Sequence, residues 1–267
     1  MTADDLRYKR RRPSGVIMTA LSVASVGALA LTIVALALPF MQPPDLSPQT
    51  LSVVENALSG SAIIVVLALL GGVPTGVLVG VGVAEGGGAT ARLARAASDV
   101  LAAVPPIVVG FVVYATVVLA VHGGSTAAGA VAIGCLVAPA VCRATLEQLA
   151  ATPASLRDAA VALGGTRARV VAFVLVRSIA PDLVRAVSRT TARAVGAGAP
   201  LLFVTAAVAG SGDVADASRV AALPTAAFWL ASAPGVDAGA RANTVALVLV
   251  LVVAGLGVLG RRRRGPR

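Results

Sequence analysis

The chain has 267 residues, 57% of them hydrophobic, a mean hydropathy of +0.91 and only 13% charged residues. Soluble domains carry about 25% charged residues, so an ordinary soluble enzyme, a disordered chain and a disulfide scaffold are excluded, and an all-α polytopic membrane protein remains. The charge is one-sided, with 22 Lys+Arg against 12 Asp+Glu and a net charge of +10, almost all of it arginine.

The first segment, 1–15, is basic, with Arg7, Lys9, Arg10, Arg11 and Arg12. The apolar run 16–41 that follows exceeds the roughly 7–15 residues of a secretory h-region and predicts a retained first transmembrane helix. The second predicted span, 61–84, carries Gly72, Gly76 and Gly80 on one face, a pattern that permits close helix packing. The third and fourth, 99–121 and 126–142, are interrupted by Pro105, Pro106 and Pro139, as the second is by Pro74; the fourth can extend to Leu149. In a bilayer such breaks are tolerated where neighbouring helices or a cavity satisfy the freed backbone groups. Cys135 and Cys142 read as small apolar residues of a helix face. His122, the one histidine, lies in a short polar turn, so no histidine metal site is expected.

The stretch 143–182 is amphipathic. Ser155 is predicted to cap a short helix with Asp158 in its early turns. Gly164, Gly165 and Thr166 break that helix, and Val170, Val171, Phe173 and Val174 open a second. Taken alone, this knob is either a connector lying on the membrane or a docking element for a partner. The fifth predicted span, 183–209, is the least apolar; the sixth, 240–260, is the cleanest, and a basic tail, 261–267, follows.

Charge sets the orientation. Short cytoplasmic loops collect Lys and Arg. Six spans place both basic termini, Arg92, Arg95, Arg143, Arg157, Arg167, Arg169 and Arg177 on one side, read as cytoplasmic. The opposite side receives 42–60 with no basic residue, and 210–239 with Arg219 alone.

Within the fifth span, Arg185, Arg189 and Arg193 recur every four residues, on one helix face drifting about 40° per step. Each costs roughly 2.5–3.5 kcal/mol at a helix centre. Arg185 can snorkel to the interface, but Arg193 lies too deep. An intramembrane guanidinium offers a planar fork of donors that fits phosphate or carboxylate oxygens. A salt bridge to an acid on another subunit, or a position facing a water-filled gap, is the alternative, and anion handling is the preferred reading.

The stretch 155–166, with Asp158-Ala159-Ala160 and Gly164, resembles the EAA loop of ABC importer permeases, whose core is Glu-Ala-Ala, three residues, Gly; Ala180-Pro181 resembles that motif's later Leu-Pro. The stretch 196–203, Gly-Ala-Gly-Ala-Pro-Leu-Leu-Phe, resembles the Gly-Glu-Thr-Ala-Pro-Leu-Leu-Phe signature of the PstA-type family of phosphate-importer permeases. The stretch 101–111, with Val104-Pro105-Pro106-Ile107-Val108 and Gly110-Phe111, resembles the same family, as do Asn56-Ala57-Leu58, Pro74-Thr75-Gly76, Ala84-Glu85 and Leu223-Pro224 with Phe228. Ala197 stands where the family has a Glu and Gly198 where it has a Thr. Arg193 and Arg143 match family arginines, whereas Leu146 falls at a family acidic position and Glu147 comes one residue late.

The resemblance implies a type I importer permease fold. Its domain would be 50–260, with 150–182 as the cytoplasmic coupling loop. Asp158, Ala159, Ala160 and Gly164 would couple to the ATPase, and Arg143, Arg189 and Arg193 would line the anion path. It further implies a PstC-type second permease, a PstB-type ATP-binding dimer and an extracytoplasmic phosphate-binding protein as partners, with membrane lipid around the chain and no nucleic acid. No cofactor, metal or catalytic residue is expected, and the chain lacks the Gly-rich P-loop with its Lys that nucleotide hydrolysis would need. Alternative readings are a permease for another oxyanion such as molybdate or sulfate, a diverged regulatory or assembly subunit, or an ion-driven secondary transporter.

Overall fold

A computed structural model describes residues 24, 27, 28, 31, 43–86, 88–121, 126–209, 222–235 and 237–259. The chain forms two units, 1–44 and 45–267. In the first, positions 24, 27, 28 and 31 are helical. The basic stretch 1–15, most of the predicted helix 16–41, His122, Arg219 and the tail 261–267 lie outside the described residues.

In the second unit every regular element among the described residues is a helix. Helix α1 (Pro48–Glu85) starts behind Ser47, whose Oγ accepts the Thr50 amide at 3.4 Å. Asp45 reinforces this start by accepting from the Ser47 amide (2.9 Å), the Ser47 hydroxyl (3.0 Å) and the Thr50 hydroxyl (2.6 Å). At 38 residues α1 is about 57 Å long, far more than the ~30 Å hydrocarbon core. The predicted span 61–84 is therefore only the later part of a helix that begins at Pro48.

Helix α2 (Gly88–Ala103) and helix α3 (Pro106–Val113), which a π turn (Tyr114–Val118) and Leu119–Val121 prolong, meet at 102°. The predicted single span 99–121 is thus bent at its Pro105-Pro106 step. Proline disfavours the helical conformation of the residue before it, and neither proline has an N–H to donate. Helix α4 (Thr126–Ala150) passes through Pro139 without ending, so the predicted span 126–142 extends one residue beyond Leu149.

Helix α5 (Ala154–Ala162) starts behind Pro153, with no side-chain cap; Ser155 lies inside the helix and does not cap it. The extended backbone of Pro153 makes the break by itself. Helix α6 (Arg167–Arg169) runs through a π segment (Val170–Leu175) into α7 (Val176–Gly196), so the second helix of the knob opens at Arg167, before Val170. The predicted span 183–209 is in turn divided: α7 ends at Gly196, Ala197 is non-helical at φ −80, ψ 80, and α8 (Gly198–Ala209) follows. Helices α9 (Leu223–Ser232) and α10 (Ala238–Leu259) complete the described chain.

Among the described residues, α1, α4 and α10 are each long and apolar enough to cross a membrane, and the bent α2–α3 pair makes a fourth candidate. Half of α4's apolar window is buried, against 22% for α1 and 17% for α10, so α4 is the axis about which the others pack. Ile133, Val137 and Val141 of α4 share a core with Ile64 and Ala68 of α1, Leu183 and Ala194 of α7 and Leu201 of α8. The glycine face explains how α1 comes so near. A Cβ on Gly76 would lie 2.5 Å from the Ala138 carbonyl oxygen, and one on Gly80 2.7 Å from Thr145 Cβ; only glycine lets the two backbones approach this closely. A second core joins Ala57 of α1 to Leu223 and Leu230 of α9 and Val245 of α10. Both cysteines are free, with Cys142 buried and Cys135 partly so.

Candidate anion path and coupling site

The π segment and the ends of α4 and α7 position the arginines. Leu149 near the end of α4 packs with Leu175 and Ile179 around the start of α7, so the two helices run antiparallel. Arg143 and Arg193 each lie near the C-terminal end of their own helix. Measured from the shared Leu149–Ile179 level, Arg193 lies roughly 12 Å deeper than Arg143 at 1.5 Å of rise per residue. The structure therefore sets them as successive levels and does not gather them at one point.

Arg143 is partnered. Its Nη2 lies 3.3 Å from Asp99 Oδ1 on α2, with both side chains more than half exposed. Around this pair is a pocket of about 270 Å³ that Arg95, Ser98, Asp99, Cys142, Arg143 and Glu147 help to line. The acid that faces Arg143 is Asp99, from across the helix pair and not from position 146, and Glu147 opens onto the same pocket. Contact across 44 residues leaves no signal in local spacing.

Along α7 the three arginines differ. Arg185 is ion-paired with Asp182, one turn before it on the same helix. Arg189 is exposed, and its Nε donates to the Arg185 carbonyl at 3.3 Å. Arg193 is exposed and forms no ion pair among the described residues. Arg189 likewise forms no ion pair among the described residues, and only its Nε is engaged, so Arg193 is the stripe's guanidinium with neither an ion pair nor a hydrogen bond among the described residues. Four residues on, Ala197 sits at the α7–α8 break itself, where the chain turns between helices.

The two longer family-like stretches touch each other. A Cβ on Gly110 of α3 would lie 2.5 Å from the Cα and carbonyl oxygen of Pro200 on α8. Phe111 and Phe203 stack edge to face beside that crossing, ring centroids 6.0 Å apart at 82°. On the other side of α8, a Cβ on Gly198 would meet Pro224 at 2.9 Å, which brings Leu223-Pro224 to the same place.

The coupling residues form a compact knob. Asp158 and Ala159 are exposed on α5, while Ala160 is half-buried against the Leu149, Val170, Leu175 and Ile179 core. Gly164 has φ +81. The Gly164 amide donates to the Val161 carbonyl at 2.9 Å, and the Gly165 amide donates to the Ala160 carbonyl at 3.2 Å. This is a Schellman ending, whose left-handed position suits a residue with no Cβ. Leu163, at the apex beside it, is 90% exposed. At the inner end of the knob, Glu85 meets Arg157 at 2.6 Å and Arg167 at 4.0 Å. Sequence reasoning singled out Glu85 only as part of a resemblance; its two partners lie far along the chain.

A bent helix pair, glycine-locked helices, a break at Ala197 and an exposed helix–turn–helix knob between membrane-length helices are the arrangement of a polytopic membrane permease. The chain belongs to the binding-protein-dependent transport system inner membrane component family, whose model matches residues 72–262. It is a multi-pass inner-membrane protein and one subunit of an ABC transporter complex. Among curated relatives, it is 32% identical over 77% of its length to the phosphate transport system permease protein PstA of Yersinia pestis, of which 70% is covered. It is 33% identical over 76% of its length to the PstA protein of Xylella fastidiosa strain 9a5c, of which 76% is covered. In fold it is similar to a chain of the inward-facing MetNI methionine ABC transporter, with TM-score 0.60 and 22% identity, covering 79% of this chain and 93% of that one.

Proposed function

We propose that the chain is the transmembrane permease subunit of an ATP-driven phosphate importer, forming half of the anion path and docking the ATPase subunit. The observation that carries this reading is the run of relatives named PstA, about a third identical over three quarters of the chain. The open Arg193 supports an anionic cargo, because a guanidinium fork matches tetrahedral oxyanions. Arg143, paired with Asp99, gives a weaker second level. Weak successive sites suit transport, which needs release as much as binding. Arg189 lies on the same stripe and would act as an outlying contact.

The chain has both termini in the cytoplasm with six spans, of which 16–41 is the first, between a basic 1–15 and a basic 261–267. The permease domain is 50–260, and 150–182 is its coupling loop. Asp158, Ala159, Ala160 and Gly164 meet the ATP-binding dimer, which hydrolyses ATP; this chain is not itself an enzyme. The exposed Leu163 supplies an apolar tip for that contact. A second permease of the PstC type completes the path, and an extracytoplasmic phosphate-binding protein delivers the ion.

A permease for molybdate or sulfate is the second reading. It is favoured by Ala197, which puts a methyl group where a family glutamate would stand, at the break between α7 and α8. Reconstitution in vesicles with the ATPase, second permease and binding protein tests both. ATP-dependent uptake of labelled phosphate, resistant to competing molybdate and sulfate, is expected. Uptake of either competitor in preference to phosphate would overturn the phosphate assignment.

A further inference from the structure

The carboxylate of Glu85 lies in an unfavourable place for α1 alone. It is the last residue of a 38-residue helix, beside the negative end of the helix dipole, where a cation would stabilise and an anion does not. Its side chain is only 12% exposed, so solvent does little to screen it. Two arginines compensate. Arg157 of α5 reaches Glu85 Oε1 at 2.6 Å. Arg167 of α6 lies 4.0 Å from Oε2 and donates to the Glu85 backbone carbonyl at 2.6 Å, which also satisfies an end-of-helix acceptor.

Those arginines flank the turn at Gly164, one on each leg of the knob. We propose that Glu85 is the positioning residue that ties the coupling knob to α1, so that a displacement of the knob by the ATPase moves α1 and α4 together. The proposal rests on the reading of the knob as the ATPase contact. The remaining links are already fixed by packing. Gly76 and Gly80 lock α1 against Ala138, Cys142 and Thr145 of α4, so α1 cannot slide without carrying α4. Arg143 with its Asp99 pair lies on that same stretch of α4. Two legs held by one carboxylate move as a unit. With the carboxylate neutralised, the α5 leg loses its charge pair to α1, while the α6 leg keeps the Arg167 bond to the Glu85 backbone carbonyl and the apolar contacts of Val81, Ala160 and Val171 with the Leu149, Val170, Leu175 and Ile179 core remain.

The test uses the whole transporter complex in vesicles. Glu85→Gln keeps the shape and removes the charge. Its complex is expected to assemble and to turn over ATP near the wild-type rate, while ions imported per ATP fall about tenfold, the scale of losing one partly buried ion pair. Arg157→Gln, a substitution at the other end of the pair, should give the same loss, and the double variant should lose no more than either single one. An unchanged ratio of uptake to ATP in Glu85→Gln, or losses that multiply in the double variant, would overturn the clamp. A substrate-free readout accompanies it: spin labels at Leu78 and Ala154, with both native cysteines replaced, should show a narrow distance distribution in wild type and a broad one in Glu85→Gln. If the wild-type complex imports no phosphate but the distribution still broadens, the clamp stands and the phosphate assignment fails. An unbroadened distribution overturns the clamp whatever the cargo.

Discussion

Gly110 and Pro200 meet backbone to backbone: a single added carbon on Gly110 would fall 2.5 Å from the Pro200 Cα. The crossing joins α3, just after its bend from α2, to α8, just after the break at Ala197. Two interrupted helices thus support one another at their interruptions. The edge-to-face pair of Phe111 and Phe203 seals the crossing. The breaks that proline and Ala197 introduce are in this way fixed positions in the packing.

Overpacking at this crossing should be costly. Gly110→Ala is expected to destabilise the chain by about 1–3 kcal/mol, because the atoms in the way are backbone and cannot rotate aside. Gly82→Ala is the matched control, since nothing lies within 4 Å of its Cβ position. There the helix should gain up to about 1 kcal/mol from lower unfolded-state entropy. Thermal unfolding of the detergent-solubilised chain separates the two, with a lower midpoint for the first and an equal or higher one for the second.

Much of this was legible beforehand. The Gly72, Gly76 and Gly80 repeat announced close packing, whereas its partner, α4, is identified by the fold alone. Gly164 announced the end of α5 because only a left-handed residue completes a Schellman turn. The bends were less legible: Pro139 leaves α4 continuous, whereas Pro105-Pro106 turns the chain by 102°, and a proline in the sequence does not say which will happen. Tertiary neighbours decide where the freed carbonyls find partners. The site residues Asp99 and Glu85 were hidden for a related reason. Their arginine partners are brought to them by the fold from 44 and 82 residues away, for the Arg143 and Arg167 contacts, and local spacing carries no trace of that.

The open guanidinium on α7 should be indispensable. Arg193→Ala is expected to reduce phosphate uptake by roughly tenfold to a hundredfold, the value of a charge-assisted contact, while the complex still assembles. Arg193→Lys should recover part of it, because charge is restored without the planar fork. Normal uptake by the alanine variant in vesicles would remove Arg193 from the path.

Asp99 should tune the second level. Neutralising it with Asp99→Asn releases Arg143 from its 3.3 Å partner and leaves a stronger anion site. Half-saturation should then occur at lower phosphate and maximal uptake should fall, since a tighter site releases more slowly. Steady-state uptake curves check both parameters; a fall in affinity would show that Asp99 organises the site and does not compete for Arg143.

Asp45 should make the start of α1 sensitive to acid. Bonds from the Thr50 side chain, the Ser47 amide and the Ser47 hydroxyl, together with Arg241 at 3.4 Å, outweigh partial desolvation and hold its carboxyl below the ordinary value. A carboxyl whose folded value is depressed adds stability above its unfolded value of about 3.9, and that stability is lost as pH falls through the depressed one. Asp45→Asn should therefore lower the unfolding midpoint near neutral pH. The difference from wild type should shrink below about pH 4 and vanish once both chains are neutral at this position. A difference that persists undiminished in acid would assign the effect to the shape of the Asp45 cap and not to its charge.

The knob offers the sharpest separation of docking from folding. At Gly164 an added Cβ meets nothing within 4 Å, yet the backbone stands at φ +81. Gly164→Ala thus carries no steric clash and costs only the left-handed strain of roughly 1–2 kcal/mol. Leu163→Asp carries neither clash nor strain, since that side chain is 90% exposed and the change is made in solvent. If the knob were a connector resting on the membrane, Leu163→Asp would weaken membrane seating and leave the ATPase bound. If it docks, the same change places a charge in an apolar contact, and the ATPase should be lost from the purified complex at unchanged chain stability. Gly164→Ala should act mainly on the turn: a lowered unfolding midpoint, with far less loss of bound ATPase than Leu163→Asp causes, since only a methyl group is added to the contact. Measuring co-purified ATPase against unfolding midpoint for both variants therefore separates the loss of an apolar contact from the loss of the turn that presents it.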